Sequence, residues 1–166
     1  MAKNGCFKNI ETFWNFFLIF SFYAIYVIRN EYRDSYWPFL IIMSISVATD
    51  IGGYIFGKIF KGPKLTKISP NKTYSGMIGG YLLSLIFLSL FMNWINQSIN
   101  LEWFIITIFI STVSQIGDII ISYFKRLSKV KDTGKIIPGH GGLLDRIDGM
   151  IFAFPIFYFI QLTGNL

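Results

Sequence analysis

The sequence predicts an all-α fold: a polytopic integral membrane protein of about five transmembrane helices, with its N-terminus cytoplasmic. Three observations carry this. Of the 166 residues, 53% are hydrophobic and only 14% charged, against about 25% charged in an ordinary soluble domain. Mean hydropathy is +0.53, more apolar surface than a soluble domain of this size hides. The charges are gathered into clusters between long apolar runs.

The first apolar segment runs from about Thr12 to Ile28, and the second from about Trp37 to Phe60. The third covers about Gly76 to Ile95, the fourth about Leu101 to Phe124, and the fifth about Asp148 to Leu162. A hydrocarbon core of about 30 Å needs roughly 20 helical residues, so the middle three span comfortably while the first and last are short. Lys3 and Lys8 precede an apolar run as in a signal peptide. No small-x-small cleavage pattern follows, so the run reads as a helix. Gly53 and Gly57, with Gly76, Gly79 and Gly80, are expected to permit close helix packing. Trp and Tyr near the segment ends read as interfacial anchors. Cys6 is the only cysteine, which excludes an intrachain disulfide or a cysteine zinc site. No repeat, linker or nucleic-acid motif interrupts residues 1–166, which read as one domain.

Basic residues fix the expected orientation. With the N-terminus inside, the cytoplasmic face carries 13 of the 15 Lys and Arg. The opposite face keeps only Arg29 and Arg33, matched by Glu31 and Asp34. The positive-inside rule therefore predicts N-terminus in and C-terminus out.

Asp50 and Asp118 interrupt otherwise apolar helices. Each precedes a basic cluster, at Lys58 and Lys125, by seven or eight residues, which places it about 10–12 Å below the cytoplasmic end. A carboxylate at that depth must be paired, protonated or metal-bound, so it is a candidate for function; the alternative is a structural partner for a neighbouring helix's polar group. Asp118, Ser122, Lys125 and Arg126 share one helical face, a polar stripe running out of the membrane. Asp145 and Asp148 share a face at the start of the fifth segment, where helix capping is the competing explanation. Carboxylates gathered from several helices suit Mg²⁺, which prefers oxygen and takes one or two carboxylates together with substrate phosphates.

Two loops supply the rest. Lys61 to Gly76 reads KGPKLTKISPNKTYSG, with four lysines, hydroxyls at Ser69, Thr73 and Ser75, and glycines that let backbone approach a phosphate. It lacks the glycine frame of a Walker A loop. Lys131 to Asp148 reads KDTGKIIPGHGGLLDRID, in which glycines flank His140, the only histidine. A histidine in such a turn is as readily a hydrogen-bonded loop residue as a catalyst.

The stretch from Ser122 to Asp148 resembles the signature of the phosphatidate cytidylyltransferase family, the CDP-diacylglycerol synthases. The match rests on Ser122, Lys125, Arg126, Lys131, Asp132, Pro138, His140, Gly141, Gly142, Asp145, Arg146 and Asp148. A second stretch, Ala48 to Gly80, is similar to that family's other recognisable region through Asp50, Ser69, Pro70, Lys72 and Thr73, and Gly117-Asp118 matches the segment just before the signature.

The resemblance implies a Mg²⁺-dependent enzyme of a bacterial inner membrane, working on its cytoplasmic side. It would join the phosphate of phosphatidic acid, a membrane lipid, to the α-phosphorus of CTP. Carried over by position, Asp118, Asp145 and Asp148 would hold the metal. These three, with Asp50, Lys125, Arg126 and Lys131, would form the catalytic set. Ser69, Lys72, Thr73, Ser122, His140 and Arg146 would bind substrate. The usual bacterial members carry further helices ahead of the Asp50 region, so the chain looks like a short member. Two other readings stay open: a CTP-dependent lipid kinase of the polyprenol or phytol type, and a non-catalytic protein binding anionic lipid. Five helices bury little among themselves, so a homodimer through the glycine faces is a further expectation.

Overall fold

The computed structural model describes residues 2–31, 36–66, 69, 72–128 and 147–163. The described chain is five α-helices: α1 (Ala2–Glu31), α2 (Trp37–Phe60), α3 (Tyr74–Trp94), α4 (Leu101–Leu127) and α5 (Met150–Leu162). No strand occurs among the described residues; an isolated antiparallel bridge joins Lys64 to Thr73. Four helices are long and apolar enough to cross a membrane, and the chain is an all-α polytopic membrane protein.

Two expected segments change. The first is not short: α1 has 30 residues, and its apolar part is the 19-residue stretch Thr12–Asn30. The fifth is a helix of 13 residues beginning at Met150 rather than Asp148, about 20 Å of rise, which falls short of a 30 Å core. Asp148 lies outside it, its Oδ1 accepting the Gly149 N–H at 3.1 Å.

Local chemistry explains the ends. Pro38 sits in the first turn of α2, where a missing N–H costs nothing. Lys61, with φ 42°, closes that helix by donating its N–H to the Gly57 carbonyl. The Thr73 hydroxyl caps α3 by accepting the Gly76 N–H at 3.1 Å, and Lys125 and Arg126 oppose the negative end of α4.

α2 and α3 form the most intimate pair. A Cβ on Gly52 would stand 2.9 Å from the Gly79 carbonyl carbon and closer still to its oxygen, so the backbones touch without side chains between them. The apolar core occupies the half of the bundle remote from the basic loops. It comprises Ile28 of α1, Ile41, Ile42 and Ile45 of α2, Leu88 and Met92 of α3, Ile106 and Ile110 of α4, and Ala153, Phe154 and Phe157 of α5. The other half is left for polar groups.

Candidate active site

Where α2 and α4 approach the basic end, their carboxylates meet the loop that follows α2. That loop folds back on itself: Leu65 N–H donates to the Lys72 carbonyl at 2.7 Å, Lys72 N–H to Ser69 O at 3.1 Å, and Tyr74 N–H to Pro63 O at 3.1 Å. Held at the return arm of this hairpin, Lys72 reaches α4. Its Nζ lies 2.9 Å from Asp118 Oδ2 and donates to the Gln115 carbonyl at 3.3 Å.

Around this pair opens a cavity of about 370 Å³, lined among others by Asp50, Ser69, Lys72, Thr73, Gln115, Asp118 and Asp148. Ligand sites commonly fall between about 300 and 1,000 Å³. Six sequence-predicted residues from three separate parts of the chain thus share one cavity. Lys125 stands beside it, its Nζ 3.6 Å from Asp148 Oδ2. Arg126 is exposed at the end of α4, and Ser122 is half-buried one turn before it. Lys131, His140, Asp145 and Arg146 lie outside the described residues. Thr73 combines two positions: it lines the cavity while its hydroxyl serves the α3 N-terminus and lies 3.0 Å from Ser75 Oγ.

Thr49, Tyr54, Leu65 and Gln115 also line the cavity and escaped the reading of the sequence. Thr49 donates to Ile45 O at 2.8 Å, and its hydroxyl lies 2.9 Å from Ser111 Oγ, tying α2 to α4 below Asp50. The Gln115 side chain bridges α4 to the Met77 carbonyl of α3 at 3.4 Å. The signal was the run Ser111-Thr112-Val113-Ser114-Gln115, polar groups recurring inside an apolar helix.

The electrostatics are those of an acidic hollow rimmed by cations. Asp148 is 15% exposed at its side chain. Burial first, then repulsion from Asp118, pushes its carboxyl up to about 8, with Lys125 pulling the other way. Asp118 has one oxygen on Lys72, while the other, Oδ1, is buried with no hydrogen-bond partner among the described residues. An unpaired buried carboxylate oxygen beside two further acids is a place for a cation. The donors are all oxygen, as Mg²⁺ requires. Among the described residues no three metal-binding side chains close into a complete set; Asp145, expected as the third ligand, is outside them.

The model of the cytidylyltransferase family matches residues 3–163. The chain is similar to a phosphatidate cytidylyltransferase of Staphylococcus saprophyticus, 48% identical over 140 residues that cover 82% of this chain and 52% of that protein. The protein of the same name from Staphylococcus haemolyticus is 45% identical over 111 residues, 65% of this chain and 42% of the relative. That of Staphylococcus aureus is 42% identical over 123 residues, 72% and 45% respectively. The chain spans about half the length of the curated relatives it matches.

Proposed function

The chain belongs to the cytidylyltransferase family, and we propose that it transfers the cytidylyl group of CTP to phosphatidic acid, making CDP-diacylglycerol and pyrophosphate. The observation that carries this reading is the Lys72–Asp118 pair. Its members, 46 residues apart in sequence, join the Ala48–Gly80 stretch to the segment just before the signature at one cavity. The names of the relatives support the choice of reaction.

A phosphate oxygen of phosphatidic acid forms the new bond to the α-phosphorus of CTP, and the bond to the β-phosphate oxygen breaks. The lipid phosphate is already anionic, so no general base is needed. The work is neutralisation and alignment. Lys72, Lys125 and Arg126, with Lys131 and Arg146 by position, hold phosphate oxygens. Ser69, Thr73, Ser122 and His140 complete the substrate contacts. Asp118 and Asp148, with Asp145 by position and Asp50 close by, hold Mg²⁺, which supplies positive charge to the phosphates of the nucleotide. The cation density of the two loops supports a cytoplasmic position for this end in a bacterial cell, with CTP entering from that side and the lipid keeping its chains in the inner membrane. The whole chain acts as one domain, and a homodimer would use a face other than the glycines of α2 and α3, which meet each other within the chain.

The test is conversion of labelled CTP and phosphatidic acid by the purified chain with Mg²⁺, beside Asp118→Asn. Pyrophosphate and CDP-diacylglycerol from the wild type alone are expected. CDP released with a phosphorylated alcohol would favour the kinase, and no turnover by folded protein would overturn the assignment for this chain.

A further inference from the structure

Hydroxyls buried in membrane helices commonly return their proton to a carbonyl three or four residues back. Here Ser21 does so to Phe17 O, Thr49 to Ile45 O, Ser84 to Tyr81 O, Thr107 to Trp103 O and Thr112 to Ile108 O. Ser114 departs from this pattern. It is 0% exposed, and its Oγ makes no hydrogen bond among the described residues, although Ile110 O lies one turn behind it for the same use. A polar atom left unpaired at that depth is disfavoured unless something absent from the protein completes it.

Its surroundings identify that something. Asp118 is one turn further along α4, on the same face, and its Oδ1 is the other unpartnered oxygen there. Both atoms lie within 3.1 Å of the point a side chain on Gly149 would occupy, and the Ser114 carbonyl lies 3.2 Å from it. Three oxygens therefore converge beside a residue with no side chain, at the entrance to α5 and next to Asp148. A carboxylate, a hydroxyl and a carbonyl, with no cationic nitrogen on Oδ1, suit a hard cation rather than a phosphate.

We propose that Ser114 Oγ is a direct ligand of the divalent cation that Asp118 Oδ1 binds, so that α4 supplies two adjacent ligands one turn apart. The inference rests on the metal reading given under Proposed function. Gly149 is then required for room: any side chain there would fill the space the ligands face.

The test uses the full chain in a Cys6→Ser background, with Mn²⁺ binding followed by electron paramagnetic resonance and stability by thermal unfolding without metal. Ser114→Ala should weaken Mn²⁺ about tenfold or more, the usual effect of removing a partner from a metal's shell. Its metal-free unfolding temperature should not fall, because the lost hydroxyl had no partner. Ser114→Cys should shift preference from Mg²⁺ towards Cd²⁺, since a thiolate is a soft ligand. Ser46→Ala removes another buried, unpartnered serine, on α2, and should leave Mn²⁺ affinity unchanged. Wild-type affinity in Ser114→Ala, unchanged metal preference in Ser114→Cys, or equal weakening in Ser46→Ala would each overturn the assignment of Ser114 while sparing the metal site. Failure of the Cys6→Ser chain itself to bind Mn²⁺ would overturn the metal reading and this inference together.

Discussion

Lys72 and Asp118 are 46 residues apart in the chain and 2.9 Å apart in space, an ion pair whose members are 26% and 18% exposed. One comes from a hairpin loop and the other from the interior of α4. Their meeting brings a lysine of the loop and a carboxylate of the helix to one wall of the cavity.

Lys72→Met is therefore expected to lower kcat/KM for CTP about 100-fold or more, the scale on which one preorganised charge contributes to a transition state. Lys72→Arg should recover part of the loss, since it keeps the charge but changes the reach. Steady-state kinetics with both variants checks this; equal loss in the two would point to geometry rather than charge.

The metal-free protein should become less stable as pH rises. Asp148 has a folded-state value of about 8 against 3.8 as its reference, so between those limits the folded state binds more protons than the unfolded state. Its contribution to stability is complete below about 4 and is lost as pH climbs through about 8. Thermal unfolding in a chelator across that range should show the decline, and Asp148→Asn should flatten it. With Mg²⁺ present the slope should shrink or reverse, because a metal displaces the proton.

Lys125 is the cation that pulls the Asp148 value down. Lys125→Met should let it rise further, moving the ascending limb of the activity–pH profile to higher pH. A lower plateau with no movement of the limb would contradict this pairing.

The contact between α2 and α3 gives a stability prediction independent of chemistry. A Cβ on Gly52 meets backbone of Gly79, which cannot yield without parting the helices. Gly52→Ala should cost about 1–3 kcal/mol and lower the unfolding temperature by several degrees. Gly53→Ala, whose added atom meets only Gly76 O at 3.8 Å, should leave folding unchanged.

Orientation can be read by cysteine labelling in a Cys6→Ser chain. Positions 61 and 64 should react with a membrane-impermeant thiol reagent only from the cytoplasmic side, and positions 97 and 100 only from the opposite side.

The bounds of α2 were legible because aromatic Trp37 and basic Lys61 mark both ends of its apolar run. α1 was harder to read. Lys3, Asn4, Lys8, Asn9 and Glu11 look like a solvated lead-in, yet the helix includes them, since polarity does not stop a helix in water. α4 runs past the expected Phe124 to Leu127: Lys125 turns its charge to Asp148 while Arg126 is exposed, so neither ends the helix. Within the site, the acids announced themselves by their cost in an apolar run. Their partners did not: spacing along the chain says nothing of Lys72 folding back onto Asp118. Gln115, being neutral, costs less in such a setting and draws less notice.

The apolar core lies in one half of the bundle and the carboxylates in the other, which divides the protein along the membrane normal. Dense apolar packing belongs to one half and the candidate site to the other. A bilayer that thins, thickens or changes its acyl composition works first on exposed side chains such as Phe104, Ile105 and Phe109, behind which Ile42, Ile110 and Phe157 are buried. The buried core then stands between a change in the bilayer and the mutual spacing of Asp50, Asp118 and Asp148.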